Sequence, residues 1–139
     1  MEDQILKPEE EVAESLAYFV GVFNDLKWDE FRSCFADDAS VISPFPNSHY
    51  RTEGLQELER DWRPIFDERR EKLPGPPYLN IDPVDVKMRT IGETTVLVTF
   101  HLENLFGSPV LNRRTLVFEK RDQRWLIIHL HASRAVVDK

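Results

Sequence analysis

The 139-residue chain predicts an α+β layer fold, a curved sheet covered by helices on one face. Three observations carry this expectation. Apolar residues recur at helical spacing through the first half, and strand-like alternation takes over from residue 79. The stretch Trp125–Ser133 is apolar on both strand faces apart from His129, His131 and Ser133, so protein should cover both sides of it. The order helix, helix, strand, helix, then four strands contains no repeat, linker or low-complexity segment. One domain spans 1–139, with 1–7 a loose lead-in and 134–139 a tail.

Pro8 followed by Glu9, Glu10 and Glu11 opens helix one: proline suits the first turn, and carboxylates suit the positive end of the helix dipole. Val12, Leu16, Phe19, Val20 and Phe23 form its buried stripe as far as Asn24. A second short helix spans Trp28–Phe35 and ends at Asp37-Asp38. Val41-Ile42 reads as a brief strand, broken from Ser43 onwards. Thr52 is placed to cap helix three, whose apolar face is Leu55, Leu58, Trp62, Ile65 and Phe66; Pro64 predicts a kink near Trp62-Arg63. Strands are expected at 79–90, 94–103, 112–120 and 124–133, with Pro83 marking an edge or bulge in the first.

Composition narrows the function. Twenty-five acidic residues against 18 basic ones give a net charge of −7, which argues against nucleic acid or an anionic membrane as partner. No apolar run approaches the ~18 residues of a membrane span, and the acidic beginning lacks a signal-peptide pattern, so a cytoplasmic location is expected. The single cysteine, Cys34, lies in an apolar helical pattern and reads as core. No phosphate-binding glycine loop exists, and no cofactor is expected.

The candidate chemistry comes from strand faces. Centring one hairpin on Gly107-Ser108 sets His101 opposite Arg114 and Thr99 opposite Leu116, on a face shared with Glu103. That mixed face is expected beneath the helices, lining a cavity. There His101 would serve as general base or donor, Arg114 would hold a ligand oxygen, and Glu103 would orient one of them. The opposite face, with Val98, Phe100, Val117, Ile127, His129 and His131, is expected to pack against a second subunit, as a homodimer or larger homo-oligomer. His129 and His131 share a face, but no third ligand accompanies them and no metal site is assigned. A one-residue slip in either hairpin would exchange the faces.

Several pieces resemble the nuclear transport factor 2-like superfamily and its SnoaL-like group. They are Asn24, Trp28-Asp29-Glu30-Phe31, Phe35-Ala36-Asp37-Asp38-Ala39-Ser40-Val41, and Trp125 with His129-Leu130-His131-Ala132-Ser133. The last also resembles the association domain of calcium/calmodulin-dependent protein kinase. The resemblance implies a cone-shaped, curved mixed sheet wrapped around N-terminal helices. It also implies a small-molecule cavity or an oligomerising module, since this superfamily hosts both. Ketosteroid isomerases of the superfamily use a tyrosine, an aspartate base and a protonated aspartate. The matching positions here are Phe19 (with Tyr18 adjacent), Ser43 and the neighbourhood of Arg114, so steroid isomerisation is not implied. Two arginine positions of the kinase domain's cavity correspond to Leu116 and Ala132.

The reading is a small-molecule-binding protein, with cofactor-independent lyase or isomerase chemistry by proton transfer as its enzymatic form. The ligand would be an apolar or aromatic oxygenated compound lined by Tyr18, Ser43, Phe45, Trp62, Phe66, Thr99 and Leu116. The other reading is an association-domain-like module without catalysis.

Overall fold

A computed structural model describes residues 6–43, 51–103 and 110–135. Three helices, α1 (Pro8–Asn24), α2 (Trp28–Ser33) and α3 (Gly54–Lys72), cover one face of a six-stranded sheet. The strands are β1 (Phe35–Ile42), β2 (Thr52–Glu53), β3 (Val84–Thr90), β4 (Thr95–Leu102), β5 (Leu111–Arg121) and β6 (Arg124–Ala135). Their spatial order is β2-β1-β6-β5-β4-β3, antiparallel except where β1 runs parallel to β6. The expected helix-then-sheet order and the mixed sheet are both present. Among the described residues no helix is long and apolar enough to cross a membrane.

Local boundaries differ where tertiary pairing overrides short-range signals. Asp37-Asp38 lies inside β1, which begins directly after α2; Asp38 pairs with Arg121 at 2.8 Å rather than closing a turn. Thr52 belongs to β2, and its buried hydroxyl donates to Asp61 on α3 at 3.0 Å instead of capping the helix. Pro64 sits within an unbroken α3. The first long strand starts at Val84, beyond Pro83, and is the sheet edge. The break expected over residues 43–48 lies, apart from Ser43, outside the described residues.

One aromatic cluster fills the space between helices and sheet. Phe31 stands 5.3 Å from Phe19, 5.5 Å from Trp62 and 4.8 Å from Phe66, ring centre to ring centre. Sheet residues Val96, Val98, Phe100, Leu116, Phe118, Ile127 and Leu130 close it from below, all buried. Cys34 joins this core, as expected; burial pushes its thiol up to about 11, which keeps it protonated and unreactive at neutral pH.

Polar groups fasten α1 to the sheet. Glu11 accepts from the Trp125 indole at 3.1 Å and the Lys120 ammonium at 3.4 Å, and Glu9 accepts from the Thr90 hydroxyl. At the other end of α1 the Asn24 side chain donates to the Ile81 carbonyl at 3.0 Å and accepts from the Ile81 amide at 2.7 Å. The Asn24 carbonyl takes the Tyr78 and Leu79 amides at 2.8 and 3.1 Å. This clamp holds the segment that delivers the chain into β3.

Register decides which residues face the helices. His101 pairs with Arg113, and Phe100 with Arg114, one residue from the expected pairing. A bulge in β6 then adds Ile128 between the pairs Phe118–Ile127 and Val117–His129. Strand β4 therefore turns Val96, Val98, Phe100 and Leu102 to the helices and Thr99, His101 and Glu103 outwards. On β6 the bulge puts Trp125, Ile127, Leu130 and Ala132 inside but His129 and His131 outside. The expected faces are thus corrected: Val98, Phe100 and Ile127 are core beneath the helices, not subunit-contact residues.

Replacing Asn24 with alanine removes two hydrogen bonds and leaves the Ile81 amide and carbonyl without their partner. The expected loss is roughly 1–3 kcal/mol of unfolding free energy. Urea denaturation of N24A checks this; a midpoint equal to that of the unaltered protein rejects the clamp.

Candidate functional site

Four strands bring one row of residues together at the end of the helix-facing surface. Arg114 on β5 pairs with Ala132 on β6 and with Phe100 on β4. On the far side of β6, Val41 and Ile42 pair with Leu130 and His131, so Ser43, one residue further, comes level with Ala132. The row is Ser43, Ala132, Arg114, Phe100. Adjacent strands lie about 4.8 Å apart, so Ser43 and Arg114 are separated by roughly 10 Å at the backbone. Ala132, 4 % exposed, is the small side chain that stands between them.

Among the described residues, none of its polar side chains meets a carboxylate. Arg114 is partly buried, and among the described residues no carboxylate lies within ion-pairing distance of it. Its Nη1 donates to the neighbouring Arg113 carbonyl at 3.0 Å. Burial lowers its pKa to about 10, and the nearby positive Arg134 pushes the same way. The guanidinium remains charged at pH 7, poorly solvated and beside a second cation. The Ser43 hydroxyl is buried and without a hydrogen-bond partner among the described residues. Asn112, 5 % exposed on the same face, donates to the Val110 carbonyl at 3.1 Å. An arginine in this state attracts an oxyanion or polarised carbonyl, because a buried charge is stabilised only by an opposite one.

The expected triad of His101, Glu103 and Arg114 is divided between faces. His101 and Glu103 do meet, Nε2 to Oε1 at 3.3 Å, but on the outer surface. Thr99 lies outside with them. Leu116 is inside and completely buried. Trp62 and Phe66 belong to the aromatic core, while Tyr18 is 53 % exposed on α1. Phe45 lies outside the described residues. Arg134 and Asn112 were missed in the sequence. The signal was present, since an arginine two residues beyond Ala132 has the same strand parity, but the end of β6 was placed at 133.

The outer face has its own pattern. Leu97, Val117, Leu126 and Ile128 form a partly exposed apolar zone beside Thr99, Thr115, His129 and His131. His129 Nδ1 lies 2.8 Å from the Ser40 hydroxyl. Burial and then the adjacent His131 lower its pKa, favouring neutral imidazole.

Comparison with solved structures finds the same architecture at low identity. An NTF2-like protein from Pseudomonas putida KT2440 superposes with a TM-score of 0.74 at 16% identity, covering 94% of this chain and 87% of that one. An NTF2-like protein from Streptomyces avermitilis, proposed to be a dehydratase, gives 0.74 at 19% identity over 92% and 96% of the two chains. The S. rosetta CaMKII hub gives 0.71 at 18% identity, covering 95% and 100%. No curated protein matches the sequence significantly. At these identities the likeness establishes the cone-shaped α+β fold. The family model of the SnoaL-like domain matches residues 12–138, nearly the whole chain, and the protein therefore belongs to the SnoaL-like family.

Proposed function

We propose that this SnoaL-like protein binds a small aromatic or apolar molecule bearing a carboxylate or comparable oxyanion, and that Arg114 anchors it. The observation carrying this reading is the partly buried Arg114 guanidinium, which among the described residues has no carboxylate beside it, in line with the Ser43 hydroxyl, buried and without a partner among the same residues. Arg114 takes the anion, Arg134 adds positive potential, and Ser43 donates to a second ligand oxygen. The apolar side of the ligand meets Phe100 and Leu102. Proton-transfer chemistry of a lyase or isomerase finds less support. Ser43, Ala132, Arg114 and Phe100 include no carboxylate or imidazole, and His101 stands on the other face.

Homo-oligomerisation is favoured independently by the outer sheet face and by the likeness to association domains. Leu97, Val117, Leu126 and Ile128 are apolar, partly exposed and clustered on one surface. A second copy laid sheet to sheet would bury them, and would approach His129, which pairs with Val117 across the strands. Each such side chain contributes up to roughly 1.5–3 kcal/mol before the losses of association.

Two experiments test these readings. A thermal-shift panel of aromatic carboxylates should raise the melting temperature of the unaltered protein, with S43A weakening the effect and R114M abolishing it. Without ligand, R114M should melt higher than wild type, by the equivalent of roughly 0.5–2 kcal/mol, because it removes a partly buried cation that no carboxylate among the described residues offsets. Ligand stabilisation undiminished in R114M rejects the anchor. For the second reading, V117E should sediment as a folded monomer where the unaltered chain sediments as a dimer or larger species. An unchanged oligomer rejects that face.

A further inference from the structure

The β6 bulge leaves His129 and His131 on the open sheet face, away from the Arg114 row. We propose that these two histidines form a bidentate site for a borderline divalent transition ion, of the copper, nickel and zinc class. Residues two apart on a strand point the same way, and these two imidazole rings are 6.5 Å apart, centre to centre. Two imidazoles on one ion, with metal–nitrogen bonds of ~2.0–2.1 Å, have centres about 5 Å apart at a tetrahedral angle and about 4.5 Å apart at the right angle of tetragonal copper. The rings need to close by roughly 1.5–2 Å, and His131 is exposed.

The second feature is the support behind one ring. The Ser40 hydroxyl, on the neighbouring parallel strand, lies 2.8 Å from His129 Nδ1. When Nε2 binds an ion, the ring proton resides on Nδ1 and is donated to Ser40 Oγ. A hydrogen bond behind the metal-facing nitrogen fixes both tautomer and ring orientation.

Among the described residues no cluster of three or more histidine, cysteine, aspartate or glutamate ligands exists, so water would complete the coordination. His101 does not contribute: it lies two strands from β6 on the same face, in the row of Arg113 and Ser133. Arg51, near His129, and Arg113 oppose a cation, which together with the two-ligand set limits the site to weak binding. Among candidate ions the order should be copper above nickel and zinc.

Calorimetric titration of the full chain with Cu2+, Ni2+ and Zn2+ in a weakly coordinating buffer tests the proposal. One Cu2+ ion per chain should bind, tighter than Ni2+ or Zn2+. H129A and H131A should each weaken it at least tenfold, S40A by several-fold, and H101A not at all. Circular dichroism of each variant confirms folding, and H129Q offers a milder replacement should H129A unfold. R114M should bind metal normally, so failure here is distinguishable from failure of the anion site. Absence of binding at 100-fold molar excess overturns the proposal, as does affinity unchanged by loss of His131.

Discussion

Alternation along β6, interrupted once by Ile128, is the constraint on which the rest of this structure depends. Before the bulge, odd-numbered Trp125 and Ile127 face the helices; after it, even-numbered Leu130 and Ala132 do. Without the extra residue, either the first pair or the second would leave the core, and His129 and His131 would be driven beneath the helices. Burying two imidazoles there without partners is unfavourable, whereas the bulge loses only local ladder pairing. The same device sets small Ala132, rather than a histidine, beside Arg114. Core packing, the candidate anion site and the open histidine face therefore share one cause.

Much of the architecture was legible because it rests on long periodic signals. The α1 stripe, its acidic first turn, the buried Cys34 and the four late strands all follow from spacing and composition. Asn24 was legible only through resemblance, since nothing local reveals that an asparagine at a helix end grips a backbone 57 residues away. Thr52 and Asp38 were misplaced for a related reason. Both have strong local turn or cap character, yet both are claimed by distant partners, Asp61 and Arg121.

The site was less legible than the fold because it depends on register. A difference of one residue in the β4–β5 pairing moved His101, Thr99 and Glu103 out and Phe100 in. The apolar run Val96, Val98, Phe100, Leu102 held the correct answer, since such a face belongs beneath helices before it belongs to a subunit contact. Arg114 survived the shift. Its inward parity followed from Leu116 and Phe118, which are apolar enough to fix the face of β5 by themselves. What emerges is a closed aromatic core and, at its end, an arginine whose charge no carboxylate among the described residues offsets.

The central claim is that the functional arginine is Arg114, on the helix side, and not its neighbour Arg113 on the outside. A crystal structure of the protein grown with a simple aromatic carboxylate such as benzoate addresses this directly. The carboxylate should lie against the Arg114 guanidinium, with its ring towards Phe100 and its second oxygen towards Ser43. Density for benzoate on the outer face, against Arg113 and His101, with Arg114 unoccupied, would contradict the account.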